Sequence, residues 1–149
     1  MLLDHTLTMK ASFNVHSFKS KAPWVEALRI SPDNTKVAVG SHGGRAWIDI
    51  GEIGADLTMK KHPAKRDIGS TAVTAIDWDV NSTTIAATCG EPAFMSATGD
   101  LAFASAVKDL EWFDWTCKAG WGTQGMAEHK SVGRTRNAKY VAAGDENEI

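Results

Sequence analysis

A unit of strand, tight turn and strand returns after 48 residues, and this spacing constrains the chain more than any other feature: SPDN at residues 31–34 and DVNS at 79–82 head matching segments. Before the first turn runs WVEALRI, apolar at Val25, Leu28 and Ile30 around Glu26 and Arg29. After it come TKVAVGSHGG and RAWIDI. Pro at the second turn position, with Asp and Asn behind it, closes a hairpin, and Ser41-His42-Gly43-Gly44 can reverse the chain again. The first copy is therefore a meander of three short strands.

In the second copy TAVTAIDW precedes DVNS, TTIAATCG follows it, and VAVGSHGG falls against IAATCGEP. A third is read in VKDLEWFDWTCKAGW and SVGRTRNAKYVAAGDENEI, where TRNA stands before KYVAAGDE as SPDN stands before TKVAVGSH. Repeats of about 40–50 residues with three or four strands each are the pattern of propeller blades. The expected fold is all-β, a partial WD-repeat β-propeller of two to three four-stranded blades, bounded at about 12–54, 60–99 and, incomplete, 106–149. Two or three blades leave both outer faces uncovered, so further blades or partner chains are expected against them. DLAFASAVKDL, with Asp100 as a cap, allows one short helix.

Sixteen Lys and Arg against eighteen Asp and Glu give a net charge of −2, which supplies no global field for nucleic acid or an anionic membrane. Asp4 and His5 interrupt the apolar opening MLLDHTLTMK, so an intracellular location is expected. Cys89 and Cys117 fall short of a disulfide framework and read as reduced thiols. Five of the six tryptophans, Trp24, Trp47, Trp78, Trp112 and Trp115, sit among β-branched or apolar neighbours, a sheet-core bias.

Three pieces carry a resemblance: VHSFKSKAPWVEALRISPDNTKVAVGSHGG, HPAKRDIGSTAVTAIDWDVNSTTIAATCGE, and KDLEWFDWTCKAGWGTQG followed by GRTRNAKYVAAGDEN. In this order, over most of residues 12–147, they resemble the C-terminal half of the echinoderm microtubule-associated protein-like family. There, phrases similar to SPD-x-x-x-LAVGSHD, T-x-LDWS and EW-x-x-x-TC-x-LG are followed by one similar to LLATGDD. Glu111-Trp112 with Thr116-Cys117 is the most specific part, being no general WD-repeat feature. The resemblance implies tandem propellers that bind tubulin in microtubules and, in flagellated cells, other axonemal proteins. It places them in the cytoplasm, the cytoskeleton and the axoneme of the cilium or flagellum. The chain departs from the pattern near Pro92, about three residues short of a full outer strand, and near Met126.

His16 and Asp33, seventeen residues apart, fit the structural pair in which an interblade His bonds the Asp of the central turn. In the second copy His62 meets Asn81 instead, which weakens or removes that bond. Trp78 and Trp112 occupy apolar strand positions and are expected to be buried. The dense run KKHPAKR, with Lys60, Lys61, His62, Lys65 and Arg66, is expected as an exposed interblade loop. It is the first candidate for docking on an acidic surface and the turn with His42 and Arg45 is the second, each set against the plainer reading of a solvated loop.

Catalysis has no positive signal. Gly120-Trp121-Gly122-Thr123-Gln124-Gly125, with Asp145 beyond, matches G-x-G-x-x-G by spacing, but the turn-rich SVGRTRN follows where the motif needs a helix. His5, His16, His42, His62 and His129 are scattered without metal-ligand spacing. No cofactor or metal is expected. The leading reading is a non-enzymatic scaffold on microtubules, set against a general WD-repeat scaffold in another cytoplasmic complex and, more remotely, an oxidoreductase using the glycine-rich stretch.

Overall fold

The computed structural model describes residues 2–12, 24–42, 45–69, 72–114, 116–117, 131–134 and 141–144. A short hairpin pairs β1 (Leu2–Leu3) with β2 (Met9–Ala11). The first four-stranded sheet then runs through β3 (Trp24–Ile30), β4 (Lys36–His42), β5 (Ala46–Ile53) and β6 (Met59–Gly69), each strand antiparallel to the one before. The second repeats the meander with β7 (Ala75–Trp78), β8 (Thr84–Cys89), β9 (Glu91–Ser96) and β10 (Leu101–Ala102). One turn of helix, α1 (Ala104–Val107), follows, and β11 (Ser131–Arg134) pairs with β12 (Val141–Gly144). The architecture is a partial WD-repeat β-propeller.

SPDN and DVNS fold into the same turn. Asn34 and Ser82 both take left-handed backbone, φ 59° and 60°, which Asn tolerates better than most residues. In each turn that residue's amide donates three residues back, to the Ser31 and Asp79 carbonyls, and the amides of Ser31 and Asp79 donate to the Lys36 and Thr84 carbonyls. The side chains that hold the turns differ. Ser31 Oγ accepts from the Lys36 amide at 2.9 Å and donates to Asp33 Oδ1 at 2.6 Å. Asp79 Oδ1 alone accepts the amides of both Thr83 and Thr84 at 2.7 Å. Register follows the turns: Arg29 opposes Ala38 as Asp77 opposes Ala86, and Ile30 opposes Val37 as Trp78 opposes Ile85.

The sheets differ from expectation at their outer edges. KKHPAKR is not a loop but the body of β6, with Lys60 opposite Glu52, Lys61 opposite Gly51, Lys65 opposite Asp49 and Arg66 opposite Ile48. The register shifts between Asp49 and Gly51, where the β6 partners jump from Lys65 to Lys61 across Pro63. A proline and several lysines are tolerated on an outermost strand, where one side needs no ladder bonds. The first sheet thus reaches Gly69, past the boundary near 54, and the second begins at Ala75 instead of near 60.

The second sheet has an outer strand of two residues. Ser96 donates its amide to the Asp100 carbonyl, while Ala97 donates inward to the Thr83 carbonyl. Alternation along β9 therefore turns the backbone groups of Phe94 and Pro92 outward. Phe94 pairs with Ala102, but Pro92 has no N–H to offer the next position, and β10 stops there.

The main core lies between the two sheets: Ala38, Ala46, Ile48 and Ile50 of the first meet Ile76, Trp78, Ile85, Ala87 and Met95 of the second, with Val73 between them. Gly40 makes room for Val73, since a Cβ there would stand 2.5 Å from Val73 Cγ1. The far face of the second sheet is covered separately, Ala86 and Phe94 packing with Val107, Trp112 and Cys117. Positions 48 residues apart meet different fates: Ile76 and Trp78 are buried, while Leu28 and Ile30 are 48% and 44% exposed.

Candidate partner-binding surface

The basic groups expected to face a partner are tied into the first sheet. Lys61 Nζ lies 2.7 Å from Oδ1 of Asp49, a fully buried carboxylate on the neighbouring strand. Arg45 Nε pairs with Asp67, and His62 Nε2 stands 3.7 Å from Glu52 Oε1. Lys60 is exposed. Lys65 and Arg66 share the same strand. His42 packs against Trp24 with the rings tilted by 58° and their centroids 4.5 Å apart, at the end of the β3–β4 pair. The structure therefore gathers Lys60, Lys61, His62, Lys65 and Arg66 on one edge strand, with Arg45 bonded to its far end and His42 on the inner side.

Asp33 sits exposed at the surface of its turn. Its partial burial would raise the pKa, but hydrogen bonds from Ser31 Oγ and the Thr35 amide, with the Lys36 charge, outweigh that and hold the carboxyl at about 2. His16, the partner expected for it, lies outside the described residues, as do Trp115, Trp121, His129, Met126, Asp145 and the glycine-rich stretch 120–125. Asn81, the second-copy counterpart of Asp33, leaves the turn to Asp79.

The best-built polar site was not read from the sequence. Asp77, 3% exposed on β7, accepts the Thr116 amide at 2.8 Å and the Cys117 amide at 2.7 Å on Oδ2, and the Thr116 hydroxyl at 2.6 Å on Oδ1. Desolvation raises its pKa, and the amides that donate to it act in the opposite direction. Burial, then the negative charge of Asp77, pushes the Cys117 thiol well above its ordinary range, and its Sγ donates to the Ala86 carbonyl. Trp112 is 3% exposed, bridges to Asp79 and packs on Phe94. A saturated carboxylate beside a protonated thiol is a clasp rather than a reactive pair. Among the described residues no three His, Cys, Asp or Glu side chains gather as a metal site, and no helix is long and apolar enough to cross a membrane.

No family model matches the chain. Over 134 residues, 82% of its length, it is 27% identical to echinoderm microtubule-associated protein-like 1 of Homo sapiens, and equally so to that of Rattus norvegicus. The chain is related to these EML-type WD-repeat proteins. It is also 27% identical over 112 residues to the ciliary WD repeat-containing protein ctxp80 of Euplotoides octocarinatus, covering 69% of this chain. It spans 16% of the length of the first two relatives and 14% of the third. Two phrases that carry the likeness, AIDW and the more specific EWFDWTC, are physically joined, since Asp77 of the first holds Thr116 and Cys117 of the second.

Proposed function

We propose that the chain is part of a non-enzymatic WD-repeat scaffold that binds microtubules within a ciliary or flagellar axonemal assembly. The observation that carries this reading is the likeness, over 82% of the chain, to proteins named as microtubule-associated, together with the likeness to one named as ciliary. Propeller blades spend their apolar residues on one another, which leaves turns and edge strands for partners. On this reading Lys60, Lys61, His62, Lys65 and Arg66 of β6, with Arg45 and His42, form a shallow docking edge, and affinity is spread over several weak contacts. Tubulin's outer surface is acidic, so such an edge complements it.

Co-sedimentation with taxol-stabilised microtubules at several salt concentrations tests the proposal. Saturable binding that weakens as salt rises is expected. A chain that stays in the supernatant at low salt while retaining its native circular-dichroism spectrum points to a general WD-repeat scaffold in another complex.

A further inference from the structure

We propose that a cavity beside Arg29, between the innermost strands of the two sheets, receives a carboxylate side chain of an acidic partner peptide. The cavity measures about 370 Å³ and is walled by Glu26, Ala27, Leu28 and Arg29 of the first sheet, Thr74, Ala75 and Ile76 of the second, and Thr116. Arg29 and Asp77 occupy the same position in successive repeats. At the second position the carboxylate fills the gap to the next segment by taking the amides of Thr116 and Cys117. At the first, a guanidinium replaces it, can accept from no amide, and lines the cavity instead.

Two further observations point to an anion. Arg29 Nε is buried without a hydrogen-bond acceptor, a deficit that native structures rarely leave uncorrected, and no ion pair to Arg29 is found among the described residues. Its backbone is fixed by the Trp78 indole, which donates to the Arg29 carbonyl, so the guanidinium is presented from a rigid base. The planar fork of Arg suits a carboxylate, and the aliphatic walls Ala27, Leu28, Ala75 and Ile76 suit the methylenes of a Glu side chain. Glu26 opposes the anion, but it is exposed and its Oε1 already takes the Trp24 indole N–H at 2.8 Å. The choice of partner rests on the microtubule reading, because an acidic peptide is what an acidic filament surface would present.

The probe is a fluorescein-labelled octaglutamate peptide, titrated with the full chain by fluorescence anisotropy at low salt. Arg29→Met is expected to weaken binding about tenfold, the loss of one charge-assisted contact. Arg29→Lys keeps the charge and should lose less. Glu26→Gln should tighten binding, and Thr74→Phe, which obstructs the cavity without altering charge, should weaken it as Arg29→Met does. Equal affinity of the wild type and a natively folded Arg29→Met overturns the proposal, as does undiminished binding to Thr74→Phe. Microtubule co-sedimentation in parallel separates the two readings. Arg29-dependent peptide binding without co-sedimentation upholds the cavity and sinks the microtubule reading. Co-sedimentation without peptide binding does the reverse.

Discussion

Trp78 Nε1 donates to the carbonyl oxygen of Arg29 at 3.2 Å, from the inner strand of the second sheet to that of the first. The indole thereby does two jobs. It fills the core between the sheets at 2% exposure, and it satisfies a carbonyl that the antiparallel ladder turns toward the neighbouring blade. Replacing it separates the two contributions. Trp78→Phe should cost about 1–2 kcal/mol through the lost bond and the unpaired carbonyl. Trp78→Ala should cost about 3–5 kcal/mol by adding a cavity. Urea denaturation followed by circular dichroism reads both, and a Trp78→Phe variant as stable as the wild type would mean that the hydrogen bond contributes nothing.

The Asp77 clasp makes a second expectation. Asp77→Ala orphans the Thr116 and Cys117 amides and should destabilise their attachment by about 2–3 kcal/mol. The readout is local: faster hydrogen exchange at these two amides, and faster alkylation of Cys117, whose buried thiol resists ionisation in the wild type. Exchange rates unchanged at both amides would show that the segment is held by Trp112 packing alone.

How much of this was visible beforehand depends on the range of the interaction. The two turns were legible because Pro32, Asp33, Asn34 and Asn81, Ser82 act on backbone within four residues of themselves. The strands β3, β4, β5, β7 and β8 were legible from their apolar runs. β6 was not: four cations, a histidine and Pro63 hide any alternation, and only the ladder offered by β5 makes a strand of it. The Asp77 clasp was half visible, since AIDW and EWFDWTC both stood out. Which carboxylate would meet which amides across 39 or 40 residues depends on how one sheet is set against the next, and no local pattern encodes it.

Acid should expose the turn carboxylate. Asp33 is held at about 2 against an ordinary 3.8, so it favours the fold above pH 3.8 and that contribution is lost as the pH falls toward 2. Asp77 has the opposite sign: its raised pKa means that the fold binds its proton more readily than the unfolded chain, so its contribution falls as the pH rises through the raised value. Asp33→Asn should therefore flatten the loss of stability below pH 3.8, and Asp77→Asn should remove a gain in stability that the wild type makes as the pH falls toward 3.8 from above. Thermal melts at half-unit pH steps measure this, and parallel curves for the wild type and Asp33→Asn would remove Asp33 from the account.

Lys60 and Lys61 are neighbours in sequence that should behave as different kinds of residue. Lys60 is exposed, so Lys60→Ser should change stability by less than about 0.5 kcal/mol. Lys61 pairs with Asp49, which has no access to water, and Lys61→Met would take that ion pair from a buried carboxylate. Such a break costs about 3–5 kcal/mol, whereas removing both charges together is close to neutral. The double variant Asp49→Leu with Lys61→Met should therefore recover most of the loss. The same pair tests the docking edge. If microtubule binding survives in the stable double variant and falls in Lys60→Ser, the contact is made by Lys60, and Lys61 serves the sheet. If binding falls in the double variant at unchanged stability, Lys61 reaches the partner itself, through ammonium protons that Asp49 leaves free.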